Sequence, residues 1–149
     1  MLMRTLLLAG IVLVLLTGCG DDDGGGSTGG GEKPATLAGP VTYERGGGIA
    51  GRRDRLIVQP DGNAKLTVQT ATKAIRLSDT ELADLGREIE RADLPSLPKN
   101  STSKPPVPDT FGYRVIYDGT TVTADDPAMP DKLRGLTSSL GALVERYAK

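Results

Sequence analysis

Three groups of residues in this chain have the types and spacing that chemistry needs. Cys19, the only cysteine, follows Leu16-Thr17-Gly18 directly after an apolar run. A lone thiol so placed is open to lipidation. Asp125 and Asp126 are the one adjacent carboxylate pair in the C-terminal half that a general acid and base could use, but neighbours on an extended chain point to opposite faces. The expected role of that pair is a turn. Gly46-Gly47-Gly48-Ile49-Ala50-Gly51 is rich enough in glycine to cradle a phosphate, yet it has neither the P-loop lysine nor a helix pattern after it. Its plain reading is a wide hairpin loop or bulge; its functional reading is bare backbone able to enter a partner's cleft. The chain has no histidine, so a Ser-His-Asp or Cys-His arrangement and the usual zinc triads cannot be built from it. The sequence therefore points away from an enzyme, with no catalytic residue, no resident metal and no cofactor expected.

Around Cys19 the chain has the layout of a secretory signal: one positive charge at Arg4, apolar residues from Leu6 to Leu16, then small residues. The apolar run is shorter than the roughly 20 residues a membrane-spanning helix requires. Leu-Thr-Gly-Cys resembles the bacterial lipobox, in which the cysteine receives a diacylglycerol and a peptidase cuts just before it. The alternative is an ordinary secretory signal with a stray cysteine. On the lipobox reading residues 1–18 are signal peptide, Cys19 is the lipidation site, and the mature protein is anchored at the extracytoplasmic side of the cell membrane. Two acyl chains hold where one is marginal. Residues 20–31 contain only Gly, Asp, Ser and Thr and cannot form a packed core. Residues 19–40 are expected to be a flexible tether with a reach of roughly 25 Å.

Residues 41–149 are enough for one domain. Aromatics make up only 3% of the chain and tryptophan is absent, so the core must rest on Val, Ile and Leu. With a net charge of −1 and no basic cluster in the sequence beyond Arg52-Arg53-Asp54-Arg55, general nucleic-acid binding has no electrostatic basis.

The elements that must position these residues follow from local pattern. Val41 to Arg45 alternates as a half-buried strand that Gly46-Gly47-Gly48 is expected to break. Leu56 to Val58 and Leu66 to Val68 flank the turn Pro60-Asp61-Gly62 as a hairpin, and Ala74 to Leu77 reads as a short additional strand. Ser78-Asp79-Thr80-Glu81 is a capping box opening a helix with Leu82, Leu85 and Ile89 inward. Five prolines between Leu94 and Pro108 predict an exposed loop. Asp118-Gly119 joins a second hairpin, Tyr113 to Tyr117 and Thr120 to Thr123. Pro130 opens a second helix, with an apolar stripe of Leu133, Leu136, Leu140, Leu143, Val144 and Tyr147. The expected fold is α+β: a mainly antiparallel sheet from two hairpins with two helices packed on one face.

Taken together, Tyr43 to Gly51, Leu94-Pro95, Asp109-Thr110-Phe111-Gly112-Tyr113, Asp125-Asp126 and Met129-Pro130 with Leu133 and Leu136 resemble the emfourin (protealysin inhibitor) family over essentially the whole domain. The resemblance implies a small proteinaceous inhibitor of thermolysin-like (M4) zinc metallopeptidases, the zinc belonging to the enzyme. The lipid anchor and tether depart from the simple family pattern, and a mechanism needing a free amino end beside the first strand is closed because Val41 is joined to the linker. The contact expected here is Arg45, Gly46, Gly47, Gly48, Ile49, Ala50 and Gly51, with Ile49 as apolar anchor; Tyr43 and Tyr113 are expected to pack in the sheet. The reading from a different class is a lipoprotein binding or assembly module of the cell envelope with neither inhibitory nor catalytic activity.

Overall fold

The computed structural model describes residues 37–149; the signal segment, Cys19 and the tether up to residue 36 lie outside the described residues. The elements run β1 (Val41–Gly47), β2 (Arg52–Val58), β3 (Asn63–Val68), β4 (Ala71–Arg76), α1 (Asp79–Ala92), a 3₁₀ turn (Leu94–Ser96), β5 (Asn100–Ser101), β6 (Phe111–Tyr117), β7 (Thr120–Asp125) and α2 (Asp131–Tyr147). The strands form one sheet in the order β4-β3-β2-β1-β6-β7-β5. Every neighbouring pair is antiparallel except β5 with β7. This is the α+β class expected from the sequence.

Both expected strand pairs form, but the sheet is more than two hairpins: β2 and β3 are the middle of a four-stranded meander, β1 to β4, and the β6–β7 hairpin docks against β1. The first strand does end within the glycine run, but later than its first glycine. β1 continues through Gly47, which pairs with Arg52 on one side and Phe111 on the other. Glycine weakens a strand by losing entropy and side-chain contacts, but a central strand gains ladder hydrogen bonds from both neighbours. Between β3 and β4 the chain turns at Gln69-Thr70, a two-residue connection with Gln69 at φ 56°.

The local turn and cap signals act as expected. Ser78 Oγ accepts from Glu81 N, and Glu81 Oε2 accepts from Ser78 N at 2.8 Å, closing the capping box of α1. That helix ends before Pro95: Asp93 takes a left-handed cap, and Pro95 lies within the 3₁₀ turn. Asp118 and Gly119, both at positive φ, make the two-residue turn between β6 and β7.

Alternation along the strands divides the sheet into two faces. Val41 and Tyr43 on β1, Leu56 and Val58 on β2, Leu66 on β3, Val115 on β6 and Val122 on β7 are buried. They join Leu85 and Ile89 of α1 and Leu133, Leu136, Leu140 and Val144 of α2 in one core. The intervening residues, such as Thr42, Glu44, Arg55 and Arg114, are half-buried or exposed, and among the described residues no helix covers that face. Leu37, expected in the tether, is buried in the core, and Ala38 N donates to Tyr117 Oη at 2.9 Å. The folded part thus takes in apolar Leu37 before β1 begins. The loop from Leu94 to Pro108 is likewise less free than its prolines suggest. Leu94 is buried, β5 adds to the sheet edge, and Asp125 accepts from Ser103 N and Oγ at 2.7 and 3.1 Å.

Candidate functional site

The glycine-rich segment is the tip of the β1–β2 hairpin. Gly48 N donates to Thr110 O at 3.1 Å, and Gly51 N donates to Gly48 O at 3.0 Å, which closes the turn. Gly47 and Gly48 lie at φ 107° and 68° and have no room for a side chain. A Cβ on Gly47 would stand 2.5 Å from Thr110 O, and one on Gly48 would meet the Phe111 ring at 2.8 Å. The turn is therefore fixed by backbone and ring contacts, and it lifts Ile49 to 91% exposure.

Beneath the tip lies an alternating cluster of two arginines and two carboxylates. Arg45 Nε and Nη2 donate to Asp54 Oδ2 at 2.9 and 2.6 Å, and Nη2 also reaches Glu145 Oε1 at 2.7 Å. Arg52 adds contacts to Asp54 and Glu145 at 3.3 and 3.1 Å. The Arg45 guanidinium stands 5.3 Å from the Phe111 ring centroid, a cation–π distance. Phe111 thus lies against both Gly48 and Arg45. Of the seven residues expected to form the contact, Gly48 to Gly51 make the turn, with Ile49 at its tip. Gly46 and Gly47 belong to β1, and Arg45 is the buttress beneath them, its side chain 13% exposed.

Asp125 and Asp126 hold backbone in place. Asp125 accepts from Ser103 and from Ala128 N, and its carboxyl is held below the usual carboxylate range, chiefly by the Ser103 N–H. Asp126 accepts from Phe111 N at 3.0 Å and Tyr113 Oη at 2.7 Å, anchoring the start of β6 against which the tip is built. A cleft of about 410 Å³ lies beside this cluster, bordered by Arg45, Tyr113, Asp126, Arg134, Ser138 and Gly141. Tyr113, Asp126 and both arginines bordering it already bond to other protein groups. Among the described residues no group of three or more His, Cys, Asp or Glu side chains is placed to hold a metal ion.

The reading from sequence did not identify Asp54 and Glu145 as supports. For Asp54 the signal was present: it shares strand parity with Leu56 and Val58, so a carboxylate falls in the core phase of β2, and a carboxylate there requires a cationic partner. Glu145 is distant in sequence and carries no such mark.

Tyr43 packs in the sheet as expected, fully buried with its ring centroid 6.4 Å from that of Tyr113. Among the described residues its hydroxyl has no hydrogen-bond partner. Burial pushes the phenol up to about 12. The folded state then holds a proton that the unfolded chain releases near pH 10, so Tyr43 contributes stability that is present below pH 10 and lost as pH rises through about 12. Tyr43→Phe removes an unsatisfied buried hydroxyl and is expected to raise stability by up to about 1 kcal/mol. Urea unfolding at neutral pH and across the alkaline range would check both effects, the variant losing less stability than the parent above pH 10.

No protein-family model matches this chain, and no curated protein matches it in sequence. Among the described residues no helix is long and apolar enough to cross a membrane.

Proposed function

We propose that this protein is a membrane-tethered proteinaceous inhibitor of thermolysin-like (M4) zinc metallopeptidases, resembling the emfourin family and presenting the Gly48–Gly51 turn to the enzyme's cleft. The observation that carries the reading is Ile49: a large apolar side chain held 91% exposed on a turn whose shape is already set. A preordered loop loses little entropy on docking, and an apolar anchor entering a pocket is the usual centre of a tight interface. The other large exposed apolar side chain of the described residues, Val107, lies at the same end of the sheet, three residues before the Thr110 that binds Gly48. Val41, where the chain comes from the expected tether, is at the opposite end of β1. The seven residues of that strand set the two ends about 20 Å apart, so an anchored domain holds its apolar tip away from its attachment. Within the turn the Gly48 carbonyl is used by Gly51 N, leaving the carbonyls of Ile49 and Ala50 to approach the enzyme's zinc.

The test is a titration of residues 33–149 against thermolysin with a fluorogenic peptide. Those residues form one compact unit and contain the whole core described above. Inhibition saturating near one equivalent is expected. Ile49→Asp should weaken it by about 30-fold or more, the loss of a hot-spot anchor, while leaving stability within about 0.5 kcal/mol because the side chain packs on nothing. A folded domain that leaves thermolysin and the secreted and envelope metallopeptidases of its own organism uninhibited would favour the envelope binding module instead.

A further inference from the structure

The sheet face turned away from the helices is strongly basic. Arg53 and Arg55 on β2, Lys65 on β3, Arg76 on β4 and Arg114 on β6 share its outward strand phase; of the two carboxylates in that phase, Glu44 lies on β1, and Asp125, at the end of β7, is buried and taken up by Ser103 and Ala128. Glu44 lies between Arg55 and Arg114, at 3.3 and 3.7 Å, and so offsets only part of their charge. Among the described residues no ion pair reaches Arg53, Lys65 or Arg76; Arg76 donates to the neutral amide of Asn63. The helix side is mildly acidic: α1 carries Asp79, Glu81, Asp84, Glu88 and Glu90 against Arg87 and Arg91, and α2 carries Asp131 and Glu145 against Lys132, Arg134 and Arg146. A chain of nearly zero net charge is thus polarised across its thickness.

The shape of the face limits what it can bind. From β4 to β6 it crosses five strands, about 19 Å at the usual strand spacing, more than twice the Debye length at physiological salt. Threonines at 42, 67 and 72 keep the surface between the cations low, with Ile57 and Ile116 half-buried beside Thr42. A level patch of separated cations fits a planar array of phosphates better than a single small anion, which would need converging donors.

We infer that this face docks on the anionic headgroups of the bilayer to which the chain is anchored. The inference rests on the lipid-anchor reading of Cys19 for its choice of partner: acylation there leaves the sheet within the roughly 25 Å reach of the tether, where cations near an anionic surface each add to binding. Docked this way, β1 lies along the membrane surface and the Ile49 tip, which lies at the end of the sheet, stays uncovered.

The test uses unlipidated residues 33–149 in sedimentation with vesicles, so its result does not depend on the anchor, which is tested separately by loss of lipid labelling in full-length Cys19→Ser. Binding to vesicles containing phosphatidylglycerol should exceed binding to pure phosphatidylcholine by about tenfold or more at low salt and disappear near 0.5 M salt. Arg53→Gln with Lys65→Gln should cut that binding about tenfold or more with the circular dichroism spectrum and thermal midpoint unchanged, whereas Arg87→Gln with Arg91→Gln on α1 should leave it intact. Equal binding to the two vesicle types, equal binding by the sheet-face variant, or tighter binding to a duplex DNA than to the anionic vesicles would overturn the inference.

Discussion

Arg45→Met is expected to cost about 3–5 kcal/mol of stability, the range for removing one partner of a buried ion pair. The Asp54 side chain has no exposure to solvent, and its Oδ2 takes both Arg45 contacts, while among the described residues Oδ1 has no partner. Without Arg45 the carboxylate keeps only Arg52, which is more exposed and stands at 3.3 Å. The Met side chain fills much of the space left by the arginine stem but supplies no donor, so the loss is that of a stranded charge. Asp54→Leu added to Arg45→Met should recover most of the loss, because a buried pair replaced by apolar groups of similar volume is often neutral. Urea unfolding of residues 33–149 would measure both, the midpoint falling in the single variant at an unchanged slope. A loss below about 1 kcal/mol would mean that the pair behaves as a surface salt bridge and that Arg45 is free to meet a partner directly. The same variant bears on function, since Arg45 is stacked on the Phe111 ring that covers Gly48.

How much of this arrangement was legible beforehand depends on how local each interaction is. The Ser78–Glu81 cap, the Asp118-Gly119 turn, the Pro60-Asp61-Gly62 turn and the apolar stripe of α2 are each set by residues close in sequence, and all four can be read from it. The glycine run could not be read the same way. Local propensity ends the strand at Gly46, but pairing with β2 on one side and β6 on the other carries β1 on to Gly47, and β6 comes some 65 residues later. β5 was hidden for a similar reason: its two residues pair in parallel with β7, and their neighbouring prolines speak against a strand. At the candidate site Ile49 was legible as an apolar residue stranded among glycines. Arg45 was not, because its role depends on Asp54, Glu145 and Phe111, which three different elements bring to it.

The same long-range contact makes Gly47→Ala the most informative change in the tip. At φ 107° an added methyl group is strained in itself, and here it would stand 2.5 Å from the Thr110 carbonyl. Strain of this kind costs about 1–3 kcal/mol, and overpacking against a backbone atom that cannot rotate away adds about as much, so a loss of about 3 kcal/mol or more is expected. Gly51→Ala is the control. It is also at positive φ, 57°, but nothing lies within 4 Å of its added Cβ, so only the left-handed backbone cost of about 1–2 kcal/mol applies. Thermal unfolding of the two variants should separate them clearly, and inhibition assays well below both midpoints should separate them again. Thr110 connects the turn to the segment bearing Val107, so relief of the Gly47 clash must shift Ile49 relative to Val107. Gly51→Ala leaves that contact alone. If the apolar tip acts as one preformed surface, inhibition falls in Gly47→Ala and persists in Gly51→Ala. Equal inhibition by both, with the stability difference present, would place the contact outside the turn and direct attention to the loop ending at Pro108.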